Sequence, residues 1–171
     1  SNGKTVVKEW LSQLLAPTFD VTRSPRSYNS QIGVPLSVWQ MNESTQVALI
    51  EAGISKPDEM KRIKAIVAPT IGILTNIGGA HQENFYSTSD KCMEKLTLFK
   101  DCDVVIYDAD NELINNCVGK CLFGAREIAW SKKNPEQPLY IEGVKKGDTA
   151  TTIRYRYLGM PNEYTIPFID D

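Results

Sequence analysis

The chain has 171 residues, of which 42% are apolar and 23% are charged, and its net charge is −2. This length favours one domain, with residues 1–171 forming a single unit that buries its own core. The nearly balanced charge, with no lysine or arginine run longer than a pair, argues against a nucleic-acid or membrane-surface role. The longest apolar stretches are too short to cross a bilayer.

The cysteines and the first residues of the chain indicate a cytoplasmic location. Four cysteines occur at 92, 102, 117 and 121, with a single histidine in the chain, and their spacing is not that of a zinc site. We therefore expect reduced thiols. The first ten residues are polar and carry Lys4 and Lys8, so we expect no signal peptide.

Helices and strands alternate over the first 131 residues. The periodicity predicts helices over 6–15, 32–41, 55–66, 88–99 and 112–122, and strands over 19–22, 47–53, 71–77, 103–110 and 126–131. The apolar runs at 47–53 and 71–77 are typical of strands buried on both faces, and Ser55 and Asp58 resemble a capping box. The pattern predicts an α/β fold around a parallel sheet.

The pattern changes after residue 138. Three segments alternate apolar and polar residues and are separated by glycine and proline: PLYIEGV, ATTIRYRYLG and EYTIPF. This alternation predicts antiparallel strands. The fold class is therefore a mostly parallel α/β sheet with a C-terminal antiparallel β extension over about 138–171.

Polar residues collect at the predicted carboxyl ends of the strands, where open α/β sheets bind their ligands. They are Glu51, Asn76, His81, Asp108 and Asp110, and Gly3-Lys4-Thr5 opens the first helix. The tripeptide is the second half of the phosphate-binding motif G-x-x-x-x-G-K-[ST], in which the backbone and the lysine hold phosphate and the hydroxyl binds Mg²⁺. A chance tripeptide is the alternative.

Each other candidate also has an ordinary explanation. Glu51 could be solvated just outside the core, His81 could be an ordinary loop histidine, and Lys95 could extend along the core edge towards water. Asn29 and Gln31 could hold a substrate carboxylate or amide, or could serve turn chemistry alone.

Five segments in order carry a family resemblance: NGKT, NSQIGVPL, ALIEAG, ILTNIGGAHQENF and KLTLF. The chain resembles the ATP-binding central domain of the Mur ligases, a three-layer α/β domain of the P-loop type. It is most similar to the branch that adds D-alanyl-D-alanine to a UDP-MurNAc-tripeptide, which NSQIGVPL favours. The resemblance covers nearly the whole chain and is strongest from 1 to about 115. Some bacteria fuse this ligase to alanine racemase, and such a fusion could be the source of this chain.

The resemblance implies a role for each candidate residue. Asn2, Gly3, Lys4 and Thr5 would bind the ATP phosphates, with Asn76 near the γ-phosphate. Thr5 and Glu51 would hold one Mg²⁺, and His81 and a carbamylated Lys95 a second. Lys4, His81 and Lys95 would be the catalytic residues, and the loop of Asn29, Ser30 and Gln31 would bind substrate.

The implied reaction joins the tripeptide carboxylate to D-Ala-D-Ala through an acyl phosphate. The resemblance further implies that the strand and first glycine of the phosphate loop, and the N- and C-terminal ligase domains, lie outside these residues. We therefore expect this chain alone to bind ATP weakly and to be inactive.

Three alternatives remain. A sibling ligase, MurE-like or folylpolyglutamate synthase-like, would share this domain. A P-loop module could bind nucleotide for regulation only, although the guanine-reading Asn-Lys-x-Asp is absent. In a plain α/β scaffold, Glu51, His81 and Lys95 would lie far apart.

Overall fold

Two sheets, one parallel and one mixed, lie at the centre of the fold in the computed structural model, which describes residues 3–79, 82–121 and 124–169. The helices are α1 (Lys4–Leu15), α2 (Gly33–Val38), α3 (Glu59–Val67), α4 (Thr88–Leu96) and α5 (Glu112–Val118). The strands are β1 (Val21–Arg23), β2 (Val47–Leu49), β3 (Ile71–Leu74), β4 (Val104–Asp108), β5 (Arg126–Ser131), β6 (Leu139–Lys146), β7 (Thr151–Tyr157) and β8 (Met160–Ile166). No helix within the described ranges has the length and apolar character needed to span a bilayer.

The smaller sheet contains β1 and β2, and the larger one has the order β3-β4-β5-β6-β7-β8. Neighbouring strands from β3 to β6 are parallel, whereas β6, β7 and β8 pair antiparallel. Strand β6 meets β5 only at its first two residues, Leu139 and Tyr140. The antiparallel strands therefore continue beyond the carboxyl end of β5. The predicted α/β class with a C-terminal antiparallel extension is confirmed.

Local capping explains where two of the helices begin. The Ser87 hydroxyl accepts a hydrogen bond from the Asp90 N–H at the start of α4, and the Asn111 side chain does the same for Ile114 in α5. The predicted cap of α3 is wrong in detail. The Glu59 carboxylate, not Asp58, accepts the N–H groups of Ser55 and Lys56. Helix α3 begins at Glu59 rather than at 55.

Strands β2 and β3 are shorter and less buried than their apolar runs predict. Ile71 and Ile73 are 59% and 38% exposed, and the exposed and buried residues of β3 alternate. A continuous apolar run predicts a strand covered on both faces, but that holds only where neighbouring elements cover both faces. Here each of the two strands pairs along one edge only within the described residues.

The core lies between the larger sheet and helices α3 to α5. Its buried residues include Cys92, Leu96 and Phe99, the stripe predicted for α4. All four cysteines are free thiols, and only Cys121 is partly exposed.

Candidate active site

The candidate site lies where the amino end of α1 meets the residues that follow β2. Gly3 precedes the helix in a left-handed conformation, with φ of 87°, which glycine adopts at little cost. Its turn places Lys4 and Thr5 in the first turn of α1, and the amino end of a helix favours an anion. The predicted phosphate-binding tripeptide therefore does open a helix.

Glu51 is the centre of a hydrogen-bond network beside that helix end. It is only 5% exposed, which excludes a solvated position outside the core. The Thr5 hydroxyl donates to Glu51 Oε2 at 2.8 Å, and Asn29 Nδ2 donates to Oε1 at 2.7 Å. The Glu51 N–H donates to the Ser24 hydroxyl at 3.0 Å. Both carboxylate oxygens are therefore held in place.

Lys8 supports this network, although its sequence position did not mark it as a candidate site residue. It is 5% exposed, and its ammonium lies 3.9 Å from Glu51 Oε2 and 3.1 Å from Glu9. It also donates to the backbone carbonyls of Ser24, at 2.7 Å, and Arg26. A polar i, i+3 stripe of Thr5 and Lys8 on α1 is the signal that could have identified it.

A polar cavity of about 380 Å³ is lined by Lys4, which precedes Thr5, and by Asn29, which donates to Glu51. Three lysines line it, namely Lys4, Lys91 and Lys95, so the cavity is suited to an anionic ligand. Lys91 is only 1% exposed and donates to the Gly78 carbonyl at 2.6 Å. This contact ties α4 to the loop that follows β3.

Lys95 is buried rather than extended towards water. It is 8% exposed, and burial, together with the charges of Lys4 and Lys91, lowers its pKa to about 8. Burial also lowers the pKa of Lys4, although the Glu51 carboxylate opposes that shift. An amine with a pKa near 8 is partly neutral at physiological pH, and a neutral amine is the nucleophilic form.

The loop of Asn29, Ser30 and Gln31 lines the same polar cavity. Its side chains also make internal contacts. Asn29 holds Glu51, the Ser30 hydroxyl accepts the Gly33 N–H, and Gln31 Nε2 donates to the Glu59 carbonyl. The substrate-binding role of this loop stays a prediction.

The structure describes only some of the remaining candidates. Asn76 lies half-buried just after β3, at the same end of the sheet as the loop that Lys91 holds. Asn2 and His81 lie outside the described residues, so their predicted roles stay predictions. Asp110 is structural, since it accepts the Ser131 hydroxyl and the Lys132 N–H.

The arrangement can bind an anion beside a buried carboxylate. A helix amino end, a lysine cluster and the Thr5–Glu51 pair meet at one place, and Lys4, Glu51 and Lys95 also line a common, mostly apolar cavity. Among described residues, no group of three or more His, Cys, Asp or Glu side chains is placed to hold a metal. A plain scaffold would separate Glu51 from Lys95, which is not what the structure shows.

Comparisons with known proteins give the family. The Mur ligase middle domain matches residues 1–168. The chain is similar to the UDP-N-acetylmuramoyl-tripeptide–D-alanyl-D-alanine ligases of Bacillus subtilis (32% identity over 68% of this chain and 26% of that protein) and Rickettsia prowazekii (30% over 99% and 38%). It therefore spans well under half the length of these relatives.

The fold agrees with that match. The crystal structure of MurF ligase from Thermotoga maritima in complex with ADP superimposes with a TM-score of 0.80 at 20% identity, covering 96% of this chain and 38% of that one. With nearly every residue of the sequence matched, the chain belongs to the Mur ligase middle domain family.

Proposed function

We propose that this chain is the ATP-binding central domain of an amide ligase that adds D-Ala-D-Ala to UDP-MurNAc-tripeptide. The names of the relatives supply the reaction. One observation carries the proposal for the chain's own residues. Thr5 donates to the buried Glu51 at the amino end of α1, where a nucleotide phosphate would bind.

The phosphates of ATP would occupy the amino end of α1. Asn2 and Gly3 would offer backbone N–H groups, Lys4 would neutralise the terminal phosphates, and Asn76 would approach the γ-phosphate. The ADP complex of the related T. maritima ligase supports a nucleotide as ligand.

The residues at Thr5 and Glu51 fit a Mg²⁺ ion. Mg²⁺ prefers oxygen ligands and is commonly held by one or two carboxylates together with substrate phosphates. The Thr5 hydroxyl and the Glu51 carboxylate, 2.8 Å apart, are such ligands. A bound Mg²⁺ would supply charge neutralisation on the phosphates. His81 and a carbamylated Lys95 would hold a second ion.

Carbamylation of Lys95 requires a neutral amine. Burial and two neighbouring lysines lower the pKa of Lys95 to about 8, so a share of the amine is neutral near pH 7.5. The amine nitrogen attacks the carbon of CO₂ and loses a proton, which converts a cation into an oxygen ligand. We expect [¹³C]bicarbonate to give a carbamate NMR signal that is absent from Lys95→Ala and retained in Lys61→Ala, a change at an exposed lysine. Full ligase activity of Lys95→Ala would refute the carbamate.

The reaction would proceed in two displacements. An oxygen of the tripeptide carboxylate attacks the γ-phosphorus, the bond to the β-phosphate oxygen breaks, and ADP leaves. The amine of D-Ala-D-Ala then attacks the acyl carbon, phosphate leaves and the amine loses a proton. Lys4 and Lys91 line the cavity where this negative charge would lie.

Activity should require both substrates and Glu51. In the ligase that contains this domain, we expect phosphate release only when UDP-MurNAc-tripeptide and D-Ala-D-Ala are both present. Glu51→Gln should lower kcat/KM by roughly a hundredfold or more, the range typical of lost charge stabilisation. Glu163→Gln, a change at an exposed carboxylate on β8, should have no effect. Phosphate release without the dipeptide, or full activity of Glu51→Gln, would overturn the proposal.

The chain alone should bind ATP weakly and should not turn over. Measurable ligation of UDP-MurNAc-tripeptide by these 171 residues would contradict this. A single cleavage-resistant unit in limited proteolysis would support the one-domain prediction. The mass of the native protein would test for a fused alanine racemase.

A further inference from the structure

Lys91 is the largest fully buried side chain among the residues that the structure describes. It is 1% exposed, and its ammonium donates a hydrogen bond to the Gly78 carbonyl at 2.6 Å. Burying an ammonium is costly unless its charge is compensated. A neutral donor of similar size, such as glutamine, could make a bond to a neutral carbonyl at a lower cost. The bond to Gly78 therefore explains where the ammonium is held, but not why a charged residue is used.

Helix α4 presents Lys91 and Lys95 to the polar cavity of about 380 Å³. Residues four apart in a helix lie on the same face, and Lys4 lines another wall of this cavity, at the start of α1. Among the described lining residues, Glu59 is the one acidic side chain, and its Oε2 already accepts two backbone N–H groups. Positive charge therefore dominates the cavity, which suits it to an anion.

The lysines of this cavity have different roles in the proposed function, on which this inference rests. A phosphoryl group would pass there from ATP to a peptide carboxylate. Lys4 would neutralise phosphates at the amino end of α1, and carbamylation would make Lys95 an anion. Lys91 is then the cation that remains on the α4 wall. The loop over residues 29–31, proposed to bind the peptide, lines the same cavity.

We propose that Lys91 is a further catalytic residue, whose ammonium binds the oxygens of the phosphoryl group as that group moves from ATP to the peptide carboxylate. When the carboxylate oxygen attacks the γ-phosphorus, the electron pair of the breaking bond goes to the β-phosphate oxygen. Lys91 keeps its proton and donates a hydrogen bond to a phosphoryl oxygen. Because the Gly78 carbonyl already holds the ammonium in place, no rearrangement is needed at the moment of reaction, which is the condition for strong stabilisation of developing charge.

Two variants separate the charge of Lys91 from its bond to Gly78. Lys91→Gln keeps a neutral donor for the Gly78 carbonyl and removes the charge, whereas Lys91→Ala removes both. In the ligase that contains this domain, both should lower kcat by roughly a hundredfold or more, the range typical of a lost electrostatic donor in an active site. The Kd of Mg-ATP should change by less than about threefold, because the interaction is made in the transition state. Lys100→Ala, at an exposed lysine just after the same helical segment, should change neither quantity.

Positional isotope exchange measures the phosphoryl transfer itself. ATP that carries ¹⁸O in the β,γ-bridge scrambles its label when transfer to UDP-MurNAc-tripeptide is reversible and D-Ala-D-Ala is absent. We expect exchange in the wild-type ligase and roughly hundredfold slower exchange in Lys91→Gln. Ethylammonium should accelerate exchange in Lys91→Ala by about tenfold or more, because it returns a cation to the cavity, whereas ethanol, a neutral molecule of similar size, should not.

Three results would overturn the proposal. Full activity of Lys91→Gln would show that the residue only ties α4 to the loop after β3. Equal rescue by ethanol would identify a packing role, and a loss confined to the Kd of Mg-ATP would place Lys91 on the nucleotide instead of the transferred group. Circular dichroism checks folding, and Lys91→Gln, which keeps the donor to Gly78, is decisive if Lys91→Ala does not fold.

The same experiment distinguishes this inference from the proposed function. A wild-type ligase that shows no isotope exchange would overturn both. An active wild type with equally active Lys91 variants would overturn this inference alone.

Discussion

Replacing Lys8 with methionine tests the buried network around Glu51. The substitution keeps most of the side-chain volume but removes the charge 3.9 Å from Glu51 and the donor to the carbonyls of Ser24 and Arg26. A buried ion pair that loses one partner costs about 3–5 kcal/mol, and an unsatisfied buried acceptor costs about 1–3 kcal/mol. Because Glu51 keeps its bonds from Thr5 and Asn29, we expect a value near the lower end, about 3 kcal/mol.

Urea unfolding at neutral pH measures this loss directly. For a chain of this length, a loss of about 3 kcal/mol in the free energy of unfolding corresponds to a fall in Tm of roughly 6–12 °C. Lys61→Met, at an exposed position on α3, is the control and should change the free energy of unfolding by less than about 0.5 kcal/mol. In the double variant Lys8→Met/Glu51→Gln, the loss should be smaller than the sum of the single losses by about 1 kcal/mol or more. Equal effects of Lys8→Met and Lys61→Met would refute the network.

Three further predictions concern stability and reactivity. In CO₂-free buffer, Lys95→Met should raise the free energy of unfolding by up to about 3 kcal/mol below pH 8, because the folded pKa of about 8 lies below the ordinary lysine pKa of 10.5. Urea unfolding should show this gain shrinking as the pH rises from 8 to 10.5, and a pH-independent gain would contradict this. Gly72→Ala should cost about 1–3 kcal/mol, since its Cβ would lie 2.4 Å from the Phe99 ring. A Cβ at Gly143 would meet only the Arg154 guanidinium, at an ordinary contact distance of 4.0 Å, so Gly143→Ala should be near neutral in the same assay. Burial raises the pKa of Cys92 to about 12, so we expect this thiol to react with iodoacetamide at pH 8 only after urea is added. Mass spectrometry measures the modification, and modification of Cys92 in the folded chain would contradict the prediction.

Local signals in the sequence predicted most of the fold. Strand β5 and the antiparallel strands β6 to β8 follow from alternation and turn residues close to each other in the chain. The buried stripe of Cys92 and Leu96 on α4, which continues to Phe99 in the short 3-10 helix that follows, agrees with the predicted helical periodicity. The exposure of β2 and β3 could not be predicted, because an apolar run does not reveal which strands will pair with it.

The site was predictable where a residue follows a strand or opens a helix. Glu51 and Thr5 are such positions, and they meet although 46 residues separate them. The contact of Asn29 with Glu51 and the burial of Lys8 depend on how a distant loop passes the carboxylate. The i, i+3 spacing of Thr5 and Lys8 places both on one face of α1, but the backbone carbonyls that bury Lys8 are set by tertiary structure.

The central claim is that a metal–nucleotide complex binds beside Thr5 and Glu51. Paramagnetic broadening of amide NMR signals by Mn²⁺ with millimolar ATP tests it directly, since Mn²⁺ replaces Mg²⁺ at oxygen ligands and weak binding suffices. We predict broadening around residues 3–5, 29–31 and 51–53 that requires ATP, is lost in Thr5→Val and persists in the exposed-site control Thr18→Val. Broadening centred elsewhere, such as on β8, or unchanged broadening in Thr5→Val, would contradict the claim.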